Sequence, residues 1–198
     1  MPTETFAALI VYAFVTSITP GPNNFMLLAS GVNFGFVRTI PHMLGIGVGF
    51  LSLLLGVGLG LGAVLTAVPA LHTALKIVGG AYLLYLAWRI AMSRTLARAG
   101  EAGARPMTFM EAAAFQWVNP KAWVMAATAM AVYVDPLQPL LSVVIVALAF
   151  ALVNLPSVST WAGFGTALRG FLEDPVRLKW FNLTMGLLLA LTLVTMVG

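Results

Sequence analysis

Thr19-Pro20-Gly21-Pro22-Asn23-Asn24 interrupts the first long apolar run of the chain, and Asn119-Pro120-Lys121 interrupts the fourth. Proline inside a helix removes a backbone donor and clashes with the preceding turn, which leaves carbonyl groups that hydrocarbon cannot solvate. Matched interruptions in two halves of a chain are typical of transporters whose binding site lies at the middle of the bilayer. The alternative is that the prolines only kink helices, and that packing accommodates the kinks.

The composition excludes a soluble globular domain. Of 198 residues, 61% are hydrophobic and 8% are charged, whereas soluble domains are about 45 to 50% apolar and about 25% charged. A helical span needs roughly 20 apolar residues, so the chain has room for about six spans with short connections. The sequence therefore predicts an all-α membrane protein with a single transmembrane domain over residues 1–198.

The apolar runs locate the six predicted spans. They cover residues 6–31, 40–65, 72–92, 109–133, 140–165 and 178–197. The first run follows Met1-Pro2-Thr3-Glu4-Thr5, which lacks the basic leader of a removable signal peptide. We therefore expect the first span to be retained in the membrane.

The basic residues predict the orientation, because short loops rich in lysine and arginine favour the cytoplasm. One side of the predicted membrane carries Arg38, Arg89, Arg94, Arg98, Arg105, Arg169, Arg177 and Lys179. The other side carries Lys76 alone, so both termini are expected outside the cell. These residues are scattered singly and form no patch, which argues against nucleic acid as a partner.

The six spans are predicted to form two inverted three-helix repeats. Spans 1 and 4 begin alike, with Glu4-Thr5-Phe6 and Met107-Thr108-Phe109, and each is then interrupted at proline. An odd number of spans in each half places the two halves in opposite orientations. We assign the first repeat to about 1–98, the second to about 106–198, and a cytoplasmic linker to about 93–108.

Lys121 is the single residue that most strongly indicates a functional site within the membrane. A lysine near the centre of a spanning helix costs roughly 2.5 to 3.5 kcal/mol, so it should face a cavity or a partner. If span 4 begins near Phe109, Lys121 is about 18 Å deep, too far for its ammonium to reach the cytoplasmic surface easily. Glu111 lies about 15 Å back along the helix and is expected at the interface, not as the partner of Lys121.

Enzyme classes find little support. The spans lack the paired carboxylates of an aspartyl protease and the histidine pair of a metalloprotease. His42 and His72 lie near span starts and are expected at the interface, and the chain has no cysteine. A serine-lysine hydrolase around Lys121 has no serine beside the lysine in sequence. We therefore expect no catalytic residue, no metal and no cofactor.

Glycines are concentrated in the second span. Gly45 and Gly49, and likewise Gly56 and Gly60, are four residues apart, a spacing that lets two helices approach closely. The sequence predicts that span 2 packs through these glycines on a neighbouring helix. The alternative is that they form the face of a homodimer.

The fifth span is predicted to carry a third break, at Asn154-Leu155-Pro156-Ser157, followed by Ser159, Thr160 and Trp161. Two interpretations stay open. These polar side chains bind a substrate, or they satisfy the carbonyl groups that Pro156 frees.

Four motifs, in order and over nearly the whole chain, resemble the LysE/RhtB family of amino-acid exporters. They are Ser17-Ile18-Thr19-Pro20-Gly21-Pro22, the pair Gly45 and Gly49, Leu75-Lys76-Ile77-Val78-Gly79-Gly80-Ala81-Tyr82-Leu83, and Asn119-Pro120-Lys121-Ala122. The resemblance implies two inverted triplets of helices in the bacterial inner membrane, export of amino acids or related metabolites, and coupling to the proton gradient. Many members carry an acidic residue in the fifth span, where this chain has Asn154, whose amide cannot titrate.

Together, the residues and the resemblance predict a secondary exporter. The predicted substrate-binding residues are Thr19, Pro20, Gly21, Pro22, Asn23, Asn24, Asn119, Pro120, Lys121 and Asn154. An amino acid would place its carboxylate at Lys121 and at half-helix N–H groups. Its ammonium would meet freed carbonyls around Thr19 to Pro22 and the amides of Asn23, Asn24 or Asn119. Lys121 would release a proton while the site is empty and regain it with substrate. The alternatives are a membrane scaffold that transports nothing, and a passive channel.

Overall fold

The computed structural model describes residues 1–96 and 105–194, and these residues form helices and connections without a strand. The helices are α1 Thr3–Ile18, α2 Pro22–Phe34, α3 Phe36–Gly56, α4 Gly62–Ala67, α5 Pro69–Ala91, α6 Phe109–Val118, α7 Pro120–Tyr133, α8 Pro139–Leu168 and α9 Pro175–Leu191. A π-helical turn, Val57–Leu61, joins α3 to α4. Arg98 in the predicted linker and the predicted end of span 6 at Val197 lie outside the described residues.

Within the described residues, three helices are long and apolar enough to cross a membrane: Phe36–Leu61, Thr73–Ala91 and Pro139–Leu168. A fourth candidate is the pair of α1 and α2, which is bent by 55° at the predicted first break. This architecture is that of an all-α membrane protein. Large apolar side chains such as Val11, Val124 and Leu152 point away from the protein interior, as lipid-facing side chains do.

The helix breaks predicted in spans 1 and 4 are present, and a proline begins the helix that follows each break. α1 ends at Ile18 and α2 begins at Pro22, while α6 ends at Val118 and α7 begins at Pro120. Proline is well suited to the first position of a helix, because its missing N–H would have no helical acceptor there. The sequence thus predicts the ends of these half-helices to within a residue or two.

The predicted third break is wrong. α8 continues through Pro156 for the whole of Pro139–Leu168. The hydroxyl of Ser157 donates to the carbonyl of Val153 at 3.0 Å, and that of Thr160 to the carbonyl of Pro156 at 2.9 Å. Local hydroxyl groups let a membrane helix tolerate proline, and these two side chains therefore serve the backbone.

Close helix crossings occur at glycines. A Cβ atom at Gly45 would overlap the carbonyl oxygen of Phe109, and one at Gly49 would lie 2.6 Å from the Cα atom of Ala113. α3 therefore packs on α6 inside one chain through the two glycines. Sequence reasoning did not single out Gly31 and Gly165, whose Cβ atoms would overlap backbone across the contact of α2 with α8.

The other two predicted packing glycines differ from each other. A Cβ atom at Gly56 would lie 3.3 Å from the indole of Trp117, a side-chain contact. Gly60 has nothing within 4 Å of this position in the described part of the chain, so it makes no close helix contact there. Its φ of 107° lies in the region that glycine adopts without strain, and the residue is needed for the bend after α3.

Glu111 and His42 lie in different surroundings. Glu111 forms an ion pair with Arg105 at 2.6 Å and closes a capping box with Thr108 at the start of α6, so it is not the partner of Lys121. Its hydrogen bond with Arg105 raises the pKa of that guanidinium. His42 is only 1% exposed and lies inside the protein. The side chain of His72 lies outside the described part of the chain.

Candidate functional site

Lys121 connects the two broken spans. Its Nζ donates to the carbonyl oxygen of Thr19 at 2.8 Å and to the hydroxyl of Thr19 at 3.0 Å. The ammonium thus lies at the C-terminal end of α1, where free carbonyls and the helix dipole attract a cation. A Cβ atom at Gly21 would lie 2.9 Å from the Lys121 stem, so glycine there leaves room for this side chain.

Side chains satisfy the carbonyl groups that the first break frees. The amide of Asn24 donates to the carbonyls of Ser17 at 2.9 Å and of Thr19 at 2.8 Å. The indole of Trp161, on α8, donates to the carbonyl of Ile18 at 3.0 Å. The carbonyls around Thr19 to Pro22 were predicted to bind the ammonium of a substrate, but in this conformation Asn24 and Lys121 already donate to the carbonyl of Thr19.

A reciprocal pair of amides joins the halves of the chain. Asn23 donates to the side-chain oxygen of Gln116 at 2.7 Å, and Gln116 donates back to Asn23 at 3.1 Å. Gln116 is fully buried on α6, just before the second break. Sequence reasoning missed it, although a glutamine in an apolar span shortly before a break was a usable signal.

A small cavity lies between the two breaks. Its lining residues are Thr16, Ser17, Gly21, Asn23, Asn24, Ile46, Phe50, Gln116, Asn119, Lys121, Ala122, Met125, Asn154 and Val158. Its volume is about 30 Å³, room for one or two water molecules and less than an amino acid needs. Helices must move before an amino acid can occupy it.

Asn154 provides an acceptor without a partner. Its side-chain oxygen is buried and accepts no hydrogen bond in the structure, while its amide nitrogen donates weakly to the Ser17 hydroxyl at 3.4 Å. Asn154 lines the cavity and is 6% exposed. Leaving a buried acceptor unpaired costs about 1 to 3 kcal/mol, which a bound donor would recover.

The electrostatics of the cavity suit a small zwitterion. α2 and α7 both begin at its wall, and the first N–H groups of a helix have no helical acceptor. The positive ends of two helix dipoles and the Lys121 ammonium therefore favour an anionic group. The free oxygen of Asn154 favours a donor such as an ammonium group.

The model of the LysE type translocator family matches residues 14–196 of the chain. The chain belongs to this family. It is similar to the cysteine/O-acetylserine efflux protein of Escherichia coli strain K12, with 31% identity over 95% of this chain and 93% of the relative. It is 32% identical, over the same shares, to the cysteine/O-acetylserine efflux protein of Shigella flexneri serotype 5b. No solved structure matches the chain significantly.

Most predicted site residues of this LysE type translocator lie together. Gly21, Asn23, Asn24, Asn119, Lys121 and Asn154 line the cavity, and Thr19 contacts it through Lys121. Pro20, Pro22 and Pro120 do not line it and instead shape the half-helices around it. The apolar wall of Ile46, Phe50 and Met125 was not predicted, because apolar side chains in a membrane span look alike in sequence.

Proposed function

We propose that this chain is a secondary transporter that exports small amino acids from the cytoplasm, driven by the proton gradient. The proposal rests above all on one observation: the Lys121 ammonium and the unpartnered Asn154 oxygen line one cavity between two broken helices. The relatives named for efflux of cysteine and O-acetylserine support amino acids with short side chains as the substrate class.

Binding would exchange partners within the cavity. The substrate carboxylate takes the Lys121 ammonium from the carbonyl and hydroxyl of Thr19, and is attracted by the positive dipole ends of α2 and α7. The substrate ammonium donates to the free oxygen of Asn154. Export driven by the inward proton gradient needs a proton to enter the cell as the amino acid leaves. The predicted cycle, in which Lys121 gains its proton together with the substrate, would carry a proton outward, so we propose Lys121 as a substrate-binding group and not as the proton carrier.

The contacts between helices support six spans in two inverted repeats. An exchange of the halves would pair α1/α2 with α6/α7, α3 with α8, and α5 with α9. Under this exchange the contact of α1 with α8 corresponds to that of α6 with α3, and both occur. The exchange swaps the two members of the pair α3 and α8, and likewise those of α5 and α9. These two contacts, which both occur, are therefore unchanged by it. The excess of basic residues on one side supports termini outside the inner membrane.

An efflux experiment tests the proposed function. Right-side-out vesicles or cells loaded with labelled serine, O-acetylserine, cysteine, leucine or lysine are compared with and without a proton gradient. We expect saturable efflux of the small amino acids that slows when the gradient is collapsed. Efflux that does not saturate and ignores the gradient would indicate a channel. Absence of efflux for the whole panel, from protein shown to be inserted, would refute amino-acid export.

Asn154→Leu is expected to weaken substrate binding without weakening the fold. Leucine has a similar shape, and the substitution removes an unpartnered buried acceptor and a single long hydrogen bond to the Ser17 hydroxyl, so its net cost in stability should be small. Loss of one hydrogen bond to a charged ammonium should raise the KM for efflux about tenfold. An unchanged KM would exclude the Asn154 oxygen from the site.

Asn182 gives a matched contrast for the same substitution. Its buried amide bonds with Asn33 at 2.9 Å and with the carbonyl of Ser93 at 3.1 Å. Asn182→Leu removes these buried hydrogen bonds and should lower the thermal stability of the purified protein in detergent, whereas Asn154→Leu should not. Equal losses of stability would mean that Asn154 also has a structural role.

A further inference from the structure

A second and larger cavity lies at the end of the bundle that carries Arg89 and Arg105. Its volume is about 330 Å³, within the range of sites for small organic ligands. Polar side chains of three helices and a connection line it, among them Ser30, His42 and Ser93. In the orientation proposed above, this end faces the cytoplasm.

The two cavities follow each other along the same two helices. On α2, Asn23 and Asn24 line the central cavity, while Ser30 and Asn33 line the second one about two turns further along. On α3, Ile46 lines the central cavity, and His42, one turn earlier, lines the second. A single route along α2 and α3 therefore passes through both.

A thin partition separates the cavities. The reciprocal amide pair of Asn23 and Gln116 lies at the wall of the central cavity. Met26 lines the second cavity and Ile46 lines the central one, and both belong, with Met43, to one buried apolar cluster. Methionine is unbranched and adapts its shape easily, so a partition containing two methionines can yield to a small molecule.

The chemistry of the second cavity favours a carboxylate. Arg89 donates only a long bond, 3.4 Å, to the carbonyl of Arg105, and none of the described carboxylates pairs with it. On the wall, Asn33 is held by bonds from Ser93 at 3.0 Å and from Asn182 at 3.2 Å. His42 is buried with neither ring nitrogen partnered, an arrangement that is unfavourable until water or a ligand supplies a partner.

We propose that this cavity is the entry site of the exporter, where a small amino acid binds by its carboxylate near Arg89 before it passes the Asn23–Gln116 pair. The inference rests on the proposed function and adds a second binding site to it. The substrate moves along α2 from Arg89 to Lys121. Neither of these cations forms an ion pair with a described carboxylate.

Single cysteines test the entry site, because the chain has no native cysteine. Ser93→Cys places one thiol in the cavity, and Ser30→Cys provides a second variant at another wall. Each is treated in inside-out vesicles with an anionic methanethiosulfonate, with and without O-acetylserine, which has no thiol to consume the reagent. Val176→Cys is the control, since Val176 is 62% exposed at the start of α9, on the same side of the membrane as the cavity in the proposed orientation.

We expect O-acetylserine at ten times its Kd to slow labelling of Ser93→Cys about tenfold, and to leave the labelling rate of Val176→Cys unchanged. Adding Arg89→Gln should raise the O-acetylserine concentration for half protection about tenfold, whereas Lys76→Gln should not change it. Lack of protection at both cysteines, with O-acetylserine efflux intact in the unmodified chain, would overturn the entry site alone. If O-acetylserine protects the cysteines but the unmodified chain shows no efflux, the proposed transport is refuted and the proposed binding site is retained.

Discussion

Lys121→Met is expected to lower amino-acid efflux at least tenfold, while the protein still inserts into the membrane. The ammonium that would bind the substrate carboxylate is lost, and a hydrogen bond to a charged group contributes about 1.5 to 3 kcal/mol, which corresponds to roughly 10- to 150-fold in affinity. Insertion should not suffer, because methionine removes a charge that is costly in a span. Initial efflux rates are measured over a range of internal substrate concentrations and divided by the amount of protein in the membrane.

Lys76 provides the matched control for this substitution. It is an exposed lysine of α5, so Lys76→Met changes the same residue type away from the cavity. We expect wild-type efflux from Lys76→Met, and only partial recovery from Lys121→Arg, because the guanidinium is larger than the space that Gly21 leaves for an ammonium. Wild-type efflux from Lys121→Met would remove the lysine from substrate binding.

The two broken helices were predictable because proline acts through local covalent geometry. Pro22 and Pro120 each begin a half-helix, and no knowledge of neighbouring helices is needed to expect this. Pro156 has the same chemistry but lies inside a continuous helix, where the hydroxyl of Ser157 satisfies a nearby carbonyl. Whether a proline ends a helix therefore depends on what surrounds it, which the local sequence shows only in part.

The polar partners of the site were less predictable. Lys121 was evident because a charge in a span is costly wherever it points. The donation of Trp161 to the carbonyl of Ile18, and the pairing of Gln116 with Asn23, join residues about a hundred positions or more apart. Such pairs depend on how the helices pack, and a single sequence does not show that packing. The free oxygen of Asn154 is recognised only when every neighbour has been located.

Gly45→Ala is expected to destabilise the protein, whereas Gly47→Ala, two residues along the same helix, is not. A methyl group at Gly45 overlaps the carbonyl oxygen of Phe109, a backbone atom that cannot turn aside, so α3 and α6 must separate. Overpacking of this kind costs about 1 to 3 kcal/mol or more. Gly49→Ala should behave like Gly45→Ala, because its methyl group would lie 2.6 Å from the Cα atom of Ala113.

The control isolates packing from every other effect of the substitution. Nothing lies within 4 Å of a Cβ atom at Gly47, so alanine there gains helix propensity, up to about 1 kcal/mol, and meets no obstacle. Thermal unfolding in detergent, followed by tryptophan fluorescence, should place Gly45→Ala several degrees below wild type and Gly47→Ala at or above it. α3 and α6 belong to different proposed repeats, so the close contacts at Gly45 and Gly49 hold the halves of the transporter together. Equal unfolding temperatures for the two variants would show that the helices separate at this contact without cost.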